Sequence, residues 1–461
     1  MITVQEAASM LNAHWYGDNL VFSDLSTDSR QIKAGDLFVA LSGDRFDGHD
    51  FISDTIERGA VAALVARNIE KTKLPQHFGW IQVANTRQAL GHLASQWRDR
   101  FLLPLVAVTG SNGKTTVKEM IASIFVKAIF QQLNSTSDSP IDKVLATIGN
   151  LNNEIGVPLT LLRLRQQHAY AVIEMGMNHA GEIAYLTQLA KPDIAVITNA
   201  GAAHIEGLGS VESVAHAKGE IFQGLGKSGI AIINADDDYA QLWCHLAGSR
   251  QIISFGLNPK AQVRADYRPQ ASSNKWILKF PKAESEVELQ VLGQHNVMNA
   301  LAAAAVALGA GINEQIIVEG LSAFSGVKGR MQKKSGLHQA TLIDDTYNAN
   351  PTSVSAALSV LAHLPGRKIL VLGDMGELGV EGADLHRKIG EEASRAGIEK
   401  LLALGELSAN AAEGFGKGAT HFSNIDELLE EAEKLLGHNV TMLVKGSRFM
   451  KMERVIQRFE V

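Results

Sequence analysis

Val106-Ala-Val-Thr-Gly-Ser-Asn-Gly-Lys-Thr-Thr-Val117 decides the fold of this chain of 461 residues. Its apolar start, Leu105 to Val108, reads as a buried strand, and Thr109-Gly-Ser-Asn-Gly-Lys-Thr115 as a tight glycine turn. Val117, Met120, Ile121, Ile124, Phe125 and Ala128 then recur at helical spacing. A strand, a glycine turn and a helix in this order aim successive backbone N–H groups and the positive end of the helix dipole at one spot, which suits a phosphate. There Lys114 reaches the β- and γ-phosphates, Thr115 places its hydroxyl on Mg²⁺, and Gly110, Ser111, Asn112, Gly113 and Thr116 complete the loop. The usual pattern carries a further glycine where Val108 stands, so the match is the shorter Gly110-x-x-Gly113-Lys114-Thr115. The bland alternative is a strand–turn–helix unit with an exposed lysine. The common register of strand, glycines, Lys-Thr and helix favours the phosphate loop.

Outward from that loop, the length suggests about three domains. Hydrophobic residues at 46% and charged residues at 20% are ordinary for a soluble globular chain. A net charge of −6 gives no reason to expect nucleic acid or an anionic membrane as partner. The single cysteine, Cys244, excludes an intrachain disulfide and a multi-cysteine metal site, and suits a core position better than a nucleophile's. Met1-Ile-Thr-Val-Gln-Glu-Ala has no basic region or long apolar run, so it is no secretory signal. The alanine-rich stretch 300–312 is too short to span a bilayer, and a cytoplasmic location is expected.

Residues 1–101 read as a first α/β unit, with a helix over 4–11, strands at 36–41, 62–66 and 80–83, and helices over 51–58 and 86–101. Two of its loops gather hydroxyls, carboxylates, an arginine and backbone donors: Ser26, Thr27, Asp28, Ser29 and Arg30, then Gly43, Phe46, Asp47, Gly48 and His49. Such loops hold a polar, anionic ligand, or equally serve as turns and helix caps. From 102 to 326 the strand–helix alternation around the phosphate loop predicts a mostly parallel sheet covered on both faces. Strand 170–174 runs into Glu174, and strand 193–199 runs toward His204, so both groups are expected at the sheet edge where ligands bind. Glu174 suits Mg²⁺; His204 alone reads more simply as a hydrogen-bonded loop histidine. A polar excursion is expected over 131–142, an amide-dense segment over 149–158, and antiparallel β-structure over 250–292. The chain changes unit near Val327-Lys-Gly-Arg330. Residues 327–461 form a third α/β unit of Rossmann-like character, with strands at 340–344, 368–372, 401–404 and 442–444 and helices near 383–396, 426–436 and 448–459. It lacks Gly-x-Gly-x-x-Gly after its first strand, which argues against a nicotinamide site.

Taken together, the motifs resemble the Mur ligases. Those that carry the resemblance are Thr109-Gly-Ser-Asn-Gly-Lys-Thr-Thr116, Gly149-Asn-Leu-Asn-Asn-Glu-Ile-Gly156, Ala217-Lys-Gly-Glu-Ile-Phe222, Gly293-x-His-Asn-x-x-Asn299, Asp345-x-Tyr-Asn-Ala-Asn350, Gly373-Asp-Met-x-Glu-Leu378 and Lys445-Gly-Ser-Arg448. They cover nearly the whole chain in the expected order. The interval from Lys114 to Gly149 is longer than the family pattern, with the extra residues expected within 131–142.

The resemblance implies a fold of three α/β domains. It implies a monomeric, ATP- and Mg²⁺-dependent ligase that joins D-alanyl-D-alanine to UDP-N-acetylmuramoyl-tripeptide through an acyl phosphate. Lys218 falls where the family carries a carbamylated lysine, a metal ligand beside Thr115, Glu174 and His204; the plain alternative is a helix lysine paired with Glu220 or another acid. Lys114, Lys218, Glu174 and His204 become the implied catalytic group. The resemblance assigns His295, Asn296, Asn299, Arg330 and Asp345 to the nucleotide, the loops at 26–30 and 43–49 to the uridine diphosphate end, and Asn152 and Asn153 to the muramoyl-peptide. Lys445 or Arg448 is the implied cation for the dipeptide carboxylate. The preceding ligase of the same family is the nearest rival, but its Asp-Asn-Pro-Arg motif is absent. Folylpolyglutamate synthetases lack a first domain with Ser-Thr-Asp-Ser-Arg. A non-catalytic ATP-binding regulator would not need the full set of candidate ligands.

Overall fold

The computed structural model describes residues 1–44, 46–67, 74–132, 139–201, 205–267 and 275–461. Among the described residues three large sheets follow one another along the chain, each flanked by helices, with a two-stranded ribbon of Ile2–Thr3 and Val21–Phe22 beside the first, in keeping with the α/β class expected.

The central sheet has nine strands. From Val144–Ala146 the order runs through Tyr170–Glu174, Leu105–Thr109, Ile194–Ile197, Ile230–Asn234, Gln251–Gly256 and Val263–Asp266, all parallel. The antiparallel Lys275–Lys279 and Glu284–Glu288 complete it. The antiparallel expectation for 250–292 therefore holds only for its second half. Strands 251–256 and 263–266 pair in parallel, because a connection through 257–262 returns the chain in the same direction.

All five residues of Leu105–Thr109 are buried, as a strand covered on both faces requires. Its alternation sorts them between two cores. Val106 and Val108 face the helix Lys114–Gln132 and the helices Gln294–Gly309 and Glu314–Ala323. Leu105 and Ala107 face a core shared with the first domain. Small residues let the helices approach closely: a Cβ on Gly320 would lie 2.5 Å from the Ile124 Cα. The alanines of 300–307 are buried as a block.

In the first domain Leu25–Ser26, Leu37–Val39, Ala62–Val65 and Gly79–Gln82 are parallel, and His14–Tyr16 closes the sheet antiparallel. This sheet is fastened to the central domain by the helix Thr86–Arg98. Trp97 donates its indole N–H to the Leu164 carbonyl at 3.2 Å. The buried Arg98 donates to the carbonyls of Ala190 at 3.1 Å and Phe101 at 2.6 Å.

The third sheet runs Gln332–Ser335, Thr341–Asp345, Val440–Lys445, Arg367–Gly373, Lys400–Leu404, Ala419–Phe422, parallel except for its first strand. It hangs from a turn in which Gly326, Gly329 and Met331 all have left-handed φ values of 98°, 72° and 52°. The helix expected over 448–459 is broken. Lys451 has φ 50°, so a short 3₁₀ turn over Arg448–Met450 precedes a helix confined to Glu453–Phe459. Short elements that carry little periodicity escaped the sequence reading, among them Val144–Ala146, Gly156–Leu162 and Ser408–Phe415. Cys244 is half-buried. Among the described residues no helix is long and apolar enough to cross a membrane.

Replacing Trp97 with alanine removes a large buried ring and one of the hydrogen bonds to the Leu164 carbonyl, which keeps its bond from Arg165 at 2.9 Å. The expected cost is about 3–5 kcal/mol in the stability of the first two domains, read from denaturant-induced unfolding followed by far-ultraviolet circular dichroism.

Candidate active site

Two sheet edges face each other across a cleft of about 1080 Å³. On the central side, register places the chemistry. Glu174 pairs with Val108, and Ile197 with Thr109, so the phosphate loop, Glu174 and Thr198–Asn199 leave three adjacent strands at one edge. On the other side Asp345 and Lys445 end two neighbouring parallel strands in the same register.

The phosphate loop is held by the strand beside it. Asn199 accepts from the Asn112 N–H at 2.9 Å and donates to the Asn112 carbonyl at 3.1 Å. The Thr198 hydroxyl donates to the same carbonyl at 2.6 Å. Ser111 exchanges bonds with Gly201, accepting from its N–H at 2.9 Å and donating to its carbonyl at 3.2 Å. Gly110 and Gly113 have φ of 151° and 83°; a Cβ on the first would overlap the Thr198 hydroxyl and on the second the Asn299 side-chain oxygen. The loop therefore needs both glycines for conformation and for space.

Four charged groups converge here. The Lys114 ammonium donates to the Gly110 carbonyl at 2.6 Å. Burial pushes its pKa down, with Glu174 opposing and Arg330 adding to the shift. Arg330 crosses from the third domain to donate to the Thr115 hydroxyl at 2.9 Å, its guanidinium 4.3 Å from the Tyr347 ring centre. Glu174 is 2% exposed; Asn152 donates to one of its oxygens at 2.9 Å, and the other is buried with no partner among the described residues. Lys218 is 1% exposed, and burial, then Lys114, drives its pKa well down. Glu220 is not its partner. That carboxylate accepts from the N–H groups of Gly181 at 2.8 Å and Ala184 at 3.1 Å, at the start of the helix Glu182–Ala190.

Ser111, Asn112, Gly113, Lys114, Thr115 and Thr116 line the cleft, as do Glu174, Asn152 and Asn153. His295, Asn296, Asn299, Arg330 and Asp345 line it from the side expected for a nucleotide, and Lys445 and Arg448 from the third domain. Asn296 donates to the Leu292 carbonyl at 2.7 Å and accepts from Asn299 at 3.1 Å. Burial pushes the His295 pKa down, Asp345 pulls it up and Lys445 lowers it again. Asn153 accepts from the Gly156 N–H at 2.9 Å, at the start of the helix Gly156–Leu162.

Lys445 is buried, donating to Asp345 at 2.6 Å and to the Asn348 carbonyl at 2.9 Å. Arg448 is the freer cation, 63% exposed and paired with Glu453 at 2.9 Å. His204 lies outside the described residues, as do 133–138 of the segment 131–142.

The first-domain loops do not line this cleft. Their polar groups cap their own turns, the alternative weighed from sequence. Asp28 accepts from the Arg30 backbone and guanidinium at 2.9–3.0 Å, which holds its pKa at about 2. Ser26 accepts from the Asp28 N–H at 3.1 Å. Asp47 accepts from His49 and pairs with Arg67; burial pushes its pKa up, but the His49 contacts bring it to about 2. His49 in turn accepts from the Ala66 N–H at 2.8 Å. Phe46 is exposed.

Sequence reasoning missed Asn199 and Asn350 as loop-holding groups. Asn350 donates to the Asn112 side chain at 2.9 Å from the third domain. A strand end in Thr-Asn, and the second asparagine of Asp345-x-Tyr-Asn-Ala-Asn350, were the available signals.

The described residues contain no cluster of three or more His, Cys, Asp or Glu side chains able to hold a metal. The orphaned Glu174 oxygen, on the same cleft as Thr115, nevertheless fits Mg²⁺, which binds one or two protein oxygens and takes the rest from phosphates and water.

Three family descriptions match the chain: "Mur ligase family, catalytic domain" over residues 22–98, "Mur ligase middle domain" over 108–307, and "Mur ligase, glutamate ligase domain" over 329–448. The UDP-N-acetylmuramoyl-tripeptide–D-alanyl-D-alanine ligase of Escherichia coli (strain K12) is 40% identical, across 100% of this chain and 98% of its own. A crystal structure of MurF from Acinetobacter baumannii is similar with TM-score 0.89 at 36% identity, covering 99% of this chain and 98% of that one. MurF ligase from Thermotoga maritima, solved in complex with ADP, is similar with TM-score 0.81 at 27% identity, covering 96% and 98%.

Gly113→Ala is expected to weaken ADP binding by tenfold or more, on the order of 1.4 kcal/mol, measured by titration calorimetry. The fold should persist, because the substitution lies at the cleft surface rather than within either core.

Proposed function

The chain belongs to the Mur ligase family, and we propose that it joins D-alanyl-D-alanine to UDP-N-acetylmuramoyl-tripeptide, converting ATP to ADP and phosphate in peptidoglycan precursor synthesis. It is an ATP-dependent acid–amino-acid ligase. The observation that carries this reading is likeness along the whole chain to ligases of that name, with the motif residues of two domains converging on one cleft.

The tripeptide carboxylate attacks the γ-phosphorus, and the bond to the ADP oxygen breaks, giving an acyl phosphate. The dipeptide amine, free of its proton, attacks the acyl carbon. The tetrahedral adduct loses one of its two N–H protons and expels phosphate, leaving the amide N–H. Both steps move negative charge onto oxygens, so fixed cations and aligned reactants lower the barrier. Lys114 and the loop N–H groups hold the phosphates, with Gly110, Ser111, Asn112, Gly113 and Thr116 shaping the cradle. His295, Asn296, Asn299, Arg330 and Asp345 contact the nucleotide from the other side. The cleft between two domains, one on a glycine-bearing turn, supports closure around the bound substrates.

Thr115, Glu174, His204 and a carbamylated Lys218 would hold Mg²⁺, which would supply charge neutralisation and polarisation of the γ-phosphoryl group. Carbon dioxide adds only to a neutral amine, and burial favours that form of Lys218. Carbamylation turns a buried neutral amine into an anion, which attracts Lys114 rather than repelling it.

The domain over 1–101 holds the uridine diphosphate end through 26–30 and 43–49. Asn152 and Asn153 face the muramoyl-peptide, and the domain over 327–461 holds the dipeptide. Because Asp345 engages Lys445, Arg448 is the better cation for the dipeptide carboxylate. The enzyme acts as a cytoplasmic monomer.

Phosphate release with ATP, Mg²⁺ and UDP-muramoyl-tripeptide is expected to require D-alanyl-D-alanine. Release supported by a single amino acid instead would move the assignment to the neighbouring ligase. Arg448→Ala is expected to raise KM for the dipeptide about tenfold. ¹³C-bicarbonate is expected to give a carbamate resonance in the intact protein that Lys218→Met abolishes.

A further inference from the structure

Gly373-Asp-Met-Gly-Glu-Leu378 carries no role in the reaction as drawn above, yet its backbone is tied down at Asp374, Met375 and Gly376. It leaves the strand Arg367–Gly373, and Gly376 and Glu377 line the cleft. Glu377 is exposed and has φ 62°, a left-handed backbone that a non-glycine residue adopts only at a cost of about 1 kcal/mol or more. Two hydrogen bonds immediately before it hold that conformation. The Gly376 N–H donates to the Ser447 hydroxyl at 2.8 Å, and that hydroxyl donates to the Ala349 carbonyl at 3.1 Å. The Met375 N–H donates to Nε2 of His386 at 2.9 Å.

His386 is fully buried, and its Nδ1 is 2.7 Å from the Gly382 carbonyl. A carbonyl only accepts, so Nδ1 carries the proton and Nε2 is free to accept from Met375. Burial pushes the imidazole pKa down, against the Gly382 bond and the charge of Asp374, which favours the neutral ring this arrangement needs. Asp374 completes the frame: its carboxylate accepts from the Ser408 N–H at 2.7 Å, and its carbonyl accepts from the Ser447 N–H at 2.9 Å. Thus the segments 345–350, 373–378 and 445–448 are clamped as one wall, with Glu377 and Arg448 both on the cleft.

We propose that this wall receives the incoming dipeptide, with Glu377 as the carboxylate that meets its ammonium and His386 as the positioning residue that holds Glu377 in place. The inference rests on the dipeptide-ligase reading. An amino dipeptide enters as a zwitterion, and Glu377 and Arg448 offer the two opposite charges it needs at one wall. The conformation is set before binding, so little ordering is required when the dipeptide arrives.

The test is steady-state kinetics of dipeptide-dependent phosphate release by the full chain. Glu377→Gln is expected to raise KM for D-alanyl-D-alanine about tenfold and leave KM for ATP unchanged, as loss of one charged contact predicts. Glu377→Gly is expected to raise the dipeptide KM equally while keeping or raising Tm, because glycine adopts this φ freely. A merely structural Glu377 would not give that pair of results. His386→Phe is expected to raise the dipeptide KM, His386→Gln to recover part of the loss, and His386→Phe combined with Glu377→Gln to be no worse than the single changes. An unchanged dipeptide KM in both Glu377 variants overturns the proposal, whether or not the His386 variants fold. Fully additive effects overturn the role of His386. If the unaltered protein releases phosphate with another amine, the substrate assignment falls instead, and the same variants are read against KM for that amine.

Discussion

Burial of like charge at the phosphate loop is the constraint on which the site depends. Lys218 is buried and Lys114 half-buried within range of one another, and Arg330 adds a cation from the opposite domain. Glu174 is the acid that pulls against Lys114, while Asp345 is already engaged with Lys445. Charging amines packed this closely is costly unless an anion joins them. A polyphosphate would meet that demand, and so would a carbamate on Lys218. An anionic ligand is thereby favoured at the loop.

The architecture keeps that arrangement from relaxing. Parallel register brings three strand ends to one edge, and Asn199 and Thr198 lock the Asn112 backbone between them. The first domain is fastened to the central one through a continuous apolar core and the buried Trp97 and Arg98, so it moves with the phosphate loop. The third domain meets that loop through polar contacts, Arg330 to Thr115 and Asn350 to Asn112, and its connection runs through glycines. Polar contacts of this kind exchange for ligand or water at little cost, whereas an apolar core does not. The polar joint beside the cleft is thereby the easier of the two to open.

Much of this was legible from the residues. The run from Leu105 to Val117 shows its strand, turn and helix because apolar spacing and glycine placement agree there, and the helix buries all six positions that the spacing selected. The residues expected around the nucleotide come together in one cleft because motifs at strand ends are gathered by sheet topology. Less legible was anything set by partners distant in sequence. Nothing near Lys445 signals that Asp345 holds it, since that pair forms only when their strands align. The loops at 26–30 and 43–49 have the same composition whether they bind a ligand or cap themselves, and the cap is what the geometry displays. The break at Lys451 is likewise invisible to periodicity, because the residues on either side still read as one helix.

Transfer of an oxygen atom from the tripeptide carboxylate to phosphate tests the central claim most directly. UDP-muramoyl-tripeptide labelled with ¹⁸O in its terminal carboxylate is incubated with ATP, Mg²⁺ and D-alanyl-D-alanine, and the released phosphate is examined by ³¹P NMR. Attack of that carboxylate on the γ-phosphorus predicts phosphate carrying one ¹⁸O for each amide formed. Label found in AMP, or phosphate whose new oxygen comes only from solvent, would contradict it, and the cleft would then be a nucleotide site without acyl-phosphate chemistry.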